Sequence, residues 1–232
     1  MPTFPPGIDL AAEDRTSRHL LYPVTVLYSL YFVVLTAFAF RTSHGGRAVA
    51  FATFGFAAWT LVEYLVHRHV LHGVFPRGTN PVSRSLHYMF DGSHANHHAR
   101  PWDGRHINGH LDTLYAAAVA IPLSLLAPSS TISMLVAAIF IGYVVEEWTH
   151  HALHYWNFKW SYFQYARGRH LYHHSRHGVG IAFGVTSGFW DVAYGTRIPA
   201  RARAILPSRS LFPRLDGRKG TSQPADLAVH EA

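Results

Sequence analysis

The sequence predicts an all-α integral membrane protein whose four transmembrane helices form two hairpins, with a histidine-rich region at one membrane face. Three observations predict this. Apolar residues gather into four blocks, positive charge falls almost wholly on one side of those blocks, and 19 of the 232 residues are histidine.

The first crossing is expected over residues 20–40, because Leu20 to Phe40 contains no ionisable side chain except tyrosine and about 20 apolar residues span a bilayer as a helix. The second, residues 48–66, is broken only by Glu63 and follows the short connection Arg41 to Arg47. The third and fourth, residues 111–127 and 131–149, are separated by Pro128, Ser129 and Ser130. Pairing these in order gives the two hairpins. The expected organisation is a cytosolic segment 1–19, a membrane domain 20–199 and a basic, disordered tail 200–232 lying against anionic head groups. Asp9, Glu13 and Asp14 precede the first block, which argues against a secretory signal.

Four crossings put both termini and the histidines on one side. Of the 20 Lys and Arg residues only Arg41 and Arg47 fall in the two short loops opposite, and positive charge marks the cytoplasmic face. The net charge of +7 is therefore read as an orientation signal. No basic patch interleaved with stacking aromatics accompanies it, so no nucleic-acid partner is expected. Charged residues make up only 14% of the chain, against about 25% in globular proteins. The absence of cysteine excludes disulfides, thiolate metal sites and cysteine nucleophiles.

Sixteen of the 19 histidines lie between His67 and His177. They form the groups His67 and His72; His94, His97 and His98; His150 and His154; and His170, His173 and His174. On a helix, positions i, i+3 and i+4 share a face, so each triplet is expected to point one way, and His150 with His154 to chelate from one helix. His67 and His72, five apart, lie about 140° around an α-helix; they are expected to reach different ions, or to sit where the helix ends before Gly73. These ten imidazoles exceed the eight that two closed four-ligand sites would use, and so fit two ions of higher coordination. Imidazole suits zinc, copper, iron and nickel alike. His69, His106, His110, His151 and His177 are expected mainly in supporting or surface roles, with His87 balanced between these and ligation. Glu63, Asp91, Asp103, Glu146, Glu147 and Asp191 stand near enough in sequence to accept the outer N–H of metal-bound rings.

This order of histidines, followed by Phe183-Gly184 and by Trp190-Asp191-Val192-Ala193-Tyr194-Gly195-Thr196, resembles the fatty acid hydroxylase and sterol desaturase superfamily of integral membrane oxygenases. It is most similar to the fatty acid 2-hydroxylase branch, also through Glu63-Tyr64 and the run His98 to Asp103. The resemblance implies a four-helix anchor under a cytosolic helical cap holding two iron ions, with zinc able to occupy the same ligands in isolated protein. It implies that all ten histidines are ligands, that there is no catalytic residue apart from them, and that the Trp190 to Thr196 segment closes the cap. In that branch a histidine precedes the second triplet by three residues, whereas six residues separate His87 from His94 here.

The activity implied is hydroxylation of an unactivated C–H bond of a fatty acyl chain, using O₂. The short segment 1–19 leaves electrons to a separate donor, cytochrome b5-like or ferredoxin-like with its reductase. Carotenoid or sterol oxidation within the same superfamily is the nearest alternative. A membrane metal transporter is the alternative from another class, although histidines at the ends of crossings do not line a path through the bilayer.

Overall fold

The computed structural model describes residues 7–74, 78–107 and 110–205. Among these it is helical throughout, with no strand. Three helices are long and apolar enough to cross a membrane: Leu10–Arg41 (α1), Gly45–Leu71, and Ile132–Tyr155. The second comprises an α-helix, Gly45–Leu65 (α2), continued by a π-helical turn, Val66–Leu71.

Helix α1 starts ten residues before the first apolar block. Asp9 caps it, accepting the N–H groups of Ala11 and Ala12 at 3.0 and 3.1 Å, which satisfies donors that a helix start otherwise leaves unpaired. Farther along, Val24, Tyr28, Leu35 and Ala39 are buried while Val26, Leu30, Val33 and Phe38 are exposed. A helix apolar on every side suits lipid on its outer face.

The chain continues through two short helices, Pro81–His87 (α3) and Ser93–Ala99 (α4), joined by a second π-helical turn over Tyr88–Gly92. Helix α5, His110–Ser124, holds the apolar stretch Thr113–Ser124 and is about 22 Å long. The fourth block forms Ile132–Tyr155 (α6), which runs past the expected residue 149. Then come Ser161–His173 (α7), Phe189–Ala193 (α8) and Ala200–Ile205 (α9). The rest of the expected tail, 206–232, lies outside the described residues.

Small residues draw α1, α2 and α6 together. Ala39, Ala48, Ala52, Ala137 and Ala138 pack with Leu35 and Met134. A Cβ on Gly55 would meet the Leu135 carbonyl at 2.7 Å and the Ala138 methyl at 2.8 Å, so the α2 backbone lies directly on α6, as in membrane helix pairs. A larger-residue cluster of Val24, Tyr28, Phe140, Tyr143 and Val144 joins α1 and α6 to Ala117 of α5. Tyr28 stacks on Phe140 with ring centroids 4.6 Å apart. This packing holds the ends of α2 and α6 side by side, where the histidines begin.

Candidate metal centre

The π turn at the end of α2 changes the expected angle between His67 and His72. Its turns close through i→i+5 hydrogen bonds, among them the His72 N–H to the His67 carbonyl at 3.2 Å. Residues five apart are thereby brought toward one side, and both rings enter the same cluster, which corrects the expectation that they reach different ions. His72 does sit where the helix ends before Gly73, as the other expectation had it.

All ten histidines singled out in the sequence converge, in two groups of five. His67, His72, His94, His98 and His173 form the first; His97, His150, His154, His170 and His174 form the second. In each group the ring nitrogens lie within 4.8 Å of one another. Each triplet is divided: His94 and His98 join the first group and His97 the second, while His170 and His174 join the second and His173 the first. The expectation of three rings aimed one way is thus corrected, because α4 and α7 run between the two groups. The groups adjoin where the rings of His98 and His174 lie 4.3 Å apart.

The other histidines are elsewhere. His151 bonds Ser17 at 2.8 Å and Asp14 at 2.9 Å. His106 faces Asp103 at 2.9 Å and His87 faces Asp91 at 3.6 Å. His69 and His177 are exposed, and the His110 side chain and His230 lie outside the described residues.

The donor set fits a cation. Ring nitrogens approach at 3.2 Å for His67 and His94, 3.1 Å for His94 and His72, and 3.0 Å for His72 and His173. In the second group the contacts are 3.0 Å for His150 and His97 and 2.9 Å for His154 and His170. His67 and His173 donate their Nδ1–H to the carbonyls of Phe183 and Ile181, the latter at 2.7 Å, so their Nε2 lone pairs face inward. Burial, with the neighbouring imidazoles adding to it, pushes His94, His97, His170 and His174 well below the ordinary histidine range. Burial brings His72 and His173 down to about 4. Neutral rings with converging lone pairs are the state that binds metal.

Of the carboxylates expected beside the ligands, Asp91 and Asp103 face His87 and His106 instead. Glu146 and Glu147 line the cavity beside the clusters together with Glu63, and Glu63 and Asp191 act at one remove. Glu63 accepts the N–H groups of Val185 and Thr186 at 2.6 and 2.9 Å and also the Thr186 hydroxyl. Asp191 accepts those of Phe183 and Gly184 at 2.8 and 3.1 Å, and the Thr196 hydroxyl at 2.9 Å. The backbone carbonyls that receive the rings carry no sequence signal.

Beside the clusters lies a cavity of about 480 Å³. Trp59, Val62, Val136, Ile139 and Phe140 line it from α2 and α6, and His67, His94 and His150 form its histidine end. Both groups of five therefore contribute a ring to its wall.

The Fatty acid hydroxylase family model matches residues 52–196. The chain is 31% identical over 154 residues to fatty acid 2-hydroxylase of Rattus norvegicus, covering 64% of this chain and 39% of that protein. It is 32% identical over 155 residues to dihydroceramide fatty acyl 2-hydroxylase FAH2 of Arabidopsis thaliana, covering 65% and 62%. A solved structure of full-length scs7p, in which only the hydroxylase domain is visible, superposes with a TM-score of 0.65 at 25% identity, over 77% of this chain and 67% of that one. The chain thus spans between about two fifths and three fifths of the length of these two curated relatives. The matched region, residues 52–196, contains all ten clustered histidines, Glu63 and Asp191, and the chain belongs to the fatty acid hydroxylase family.

Proposed function

We propose that the protein is a membrane-bound di-iron oxygenase that hydroxylates a fatty acyl chain, using O₂ and electrons from a separate donor. The observation that carries the reading is the largely apolar cavity ending on histidines of both clusters. Its size lies within the range of about 300–1,000 Å³ for ligand sites, and much of its wall comes from the long apolar helices α2 and α6, which suits the tail of an acyl chain. The names of the relatives support an acyl substrate and carbon 2 as the position of attack.

Each histidine cluster would hold one ion, and the pair would supply redox chemistry able to activate O₂ toward an unactivated C–H bond. The chain's own part is binding and orientation. Phe183 and Ile181 hold two rings in the tautomer that turns Nε2 inward. Trp59, Ile139 and Phe140 exclude water and align the chain along the cavity. Proximity and alignment of this kind lower a barrier without any further catalytic side chain.

Under this reading the short apolar helix of α5 completes four crossings in two hairpins. The π turns, α3, α4 and α7 to α9 form the cap, and clusters and termini face the cytoplasm, where the positive charge lies. The test is lipid analysis of a host expressing the chain together with a reductase and cytochrome b5 or ferredoxin. Hydroxylated acyl chains that depend on His97 are the expected product. Hydroxylated carotenoid or sterol without them, or metal flux in liposomes without O₂ consumption, overturns the assignment.

A further inference from the structure

The peptide between Ile181 and Thr186 is gripped from two sides. On one side its carbonyls at positions 181 and 183 receive the Nδ1–H of His173 and His67. On the other, its four consecutive N–H groups from 183 to 186 are taken in pairs by Asp191 and Glu63. Arg169, itself buried, donates to the Val185 carbonyl at 3.2 Å and lies 3.5 Å from Asp191. Ala182, between the two receiving carbonyls, has φ 62°, a left-handed conformation disfavoured for a residue with a Cβ and kept only where the surroundings impose it. Its N–H is held by the Thr196 carbonyl at 2.7 Å.

Both rings seated on this strap belong to the first cluster. In the second cluster, the buried Nδ1 atoms of His97, His154, His170 and His174 have no hydrogen-bond partner among the described residues. Outer hydrogen bonds fix ring orientation and raise ligand basicity, so the two clusters receive unequal support from the protein.

We propose that Asp191 and Glu63 are positioning residues for the first cluster alone, acting through the 181–186 strap, and that the two metal pockets therefore hold their ions by independent means. This rests on the reading that both clusters bind metal. Asp191 neither touches a ring nor faces a substrate; its effect passes through the Phe183 and Gly184 peptides to His67. Removing its carboxylate frees those N–H groups, lets the strap relax out of the left-handed turn and tilts two of five ligands.

The test uses the full chain in detergent, loaded with zinc, with metal per chain and chelator-driven zinc release as readouts. Wild type is expected to hold two zinc ions and Asp191→Ala one. In a His154→Ala background, which disables the second cluster, Asp191→Ala should remove the remaining ion. In a His72→Ala background, which disables the first, it should change nothing. Thr186→Val, a milder change that removes one bond to Glu63, should speed release of one ion of the two by about 10-fold, the low end for outer ligand contacts. Asp191→Asn, keeping one acceptor, should fall between Asp191→Ala and wild type.

Loss of both ions together in Asp191→Ala and equal acceleration of both in Thr186→Val would mean a general structural role and would overturn the proposal. So would two tightly held ions in every strap variant. A wild-type chain that takes up no zinc and no ferrous iron would sink the metal reading itself, and this inference with it.

Discussion

Asp14, near the start of α1, accepts a hydrogen bond from His151 of α6 at 2.9 Å, joining residues 137 positions apart. The same carboxylate takes the Trp156 indole N–H at 3.1 Å and pairs with Arg18 at 2.8 Å, while Ser17 bonds the other ring nitrogen of His151 at 2.8 Å. His151 is fully buried, so its ring is oriented away from both clusters and clamps α1 against the helix that carries His150 and His154. Asp14→Ala leaves a buried ring and an indole without an acceptor, and should cost about 1–3 kcal/mol. The expected outcome is a lower unfolding temperature with metal content retained; unchanged thermal stability would refute the clamp.

The clusters divide ligands that are adjacent in sequence, so paired substitutions should separate them. His97→Ala and His98→Ala, one residue apart, are expected each to lower metal content by one ion, and from different clusters. Combined, they should leave none. A double variant that loses no more than either single one would contradict two separate pockets.

Cavity shape predicts selectivity. Ala120 lines the cavity from α5, and Ala120→Phe would fill part of it. Acyl hydroxylation should fall at least about 10-fold, the energy of roughly 1.4 kcal/mol in positioning, with metal content unchanged. Equal activity on long chains would show that substrate lies elsewhere.

Acid should destabilise the metal-free protein. His72 and His173 are held at about 4 by burial, against about 6.5 in an unfolded chain. Between those values the unfolded chain binds more protons than the folded one, so stability rises with pH. It should be fully present above about pH 6.5 and be lost as pH falls toward 4. Thermal unfolding of metal-stripped protein at pH 7.5 and pH 5 checks this, and a higher midpoint at pH 5 would contradict it.

Much of the site was legible because imidazole at helical spacing is a local signal. His150 and His154 stand four apart on one continuous helix, and they share a cluster as that spacing requires. The relation of His67 to His72 was not legible in the same way: five residues mean about 140° on an α-helix, and only the π turn brings them toward one side. Glu63 and Asp191 stood out as carboxylates near histidines, yet their work runs through backbone amides, which every residue possesses and no sequence pattern marks. The role of Asp14 was hidden for a different reason, since its partners lie more than a hundred residues away.

By itself the sequence determined the apolar blocks, the ten imidazoles and their angular order on each helix, since side-chain chemistry and helical period are properties of the local chain. Tertiary structure alone decided which rings meet. His97 departs from His94 and His98, and His173 from His170 and His174, because an angle about one helix axis does not say what stands on either side of that helix. The neighbours supplied by α2, α6 and the 181–186 strap settle it.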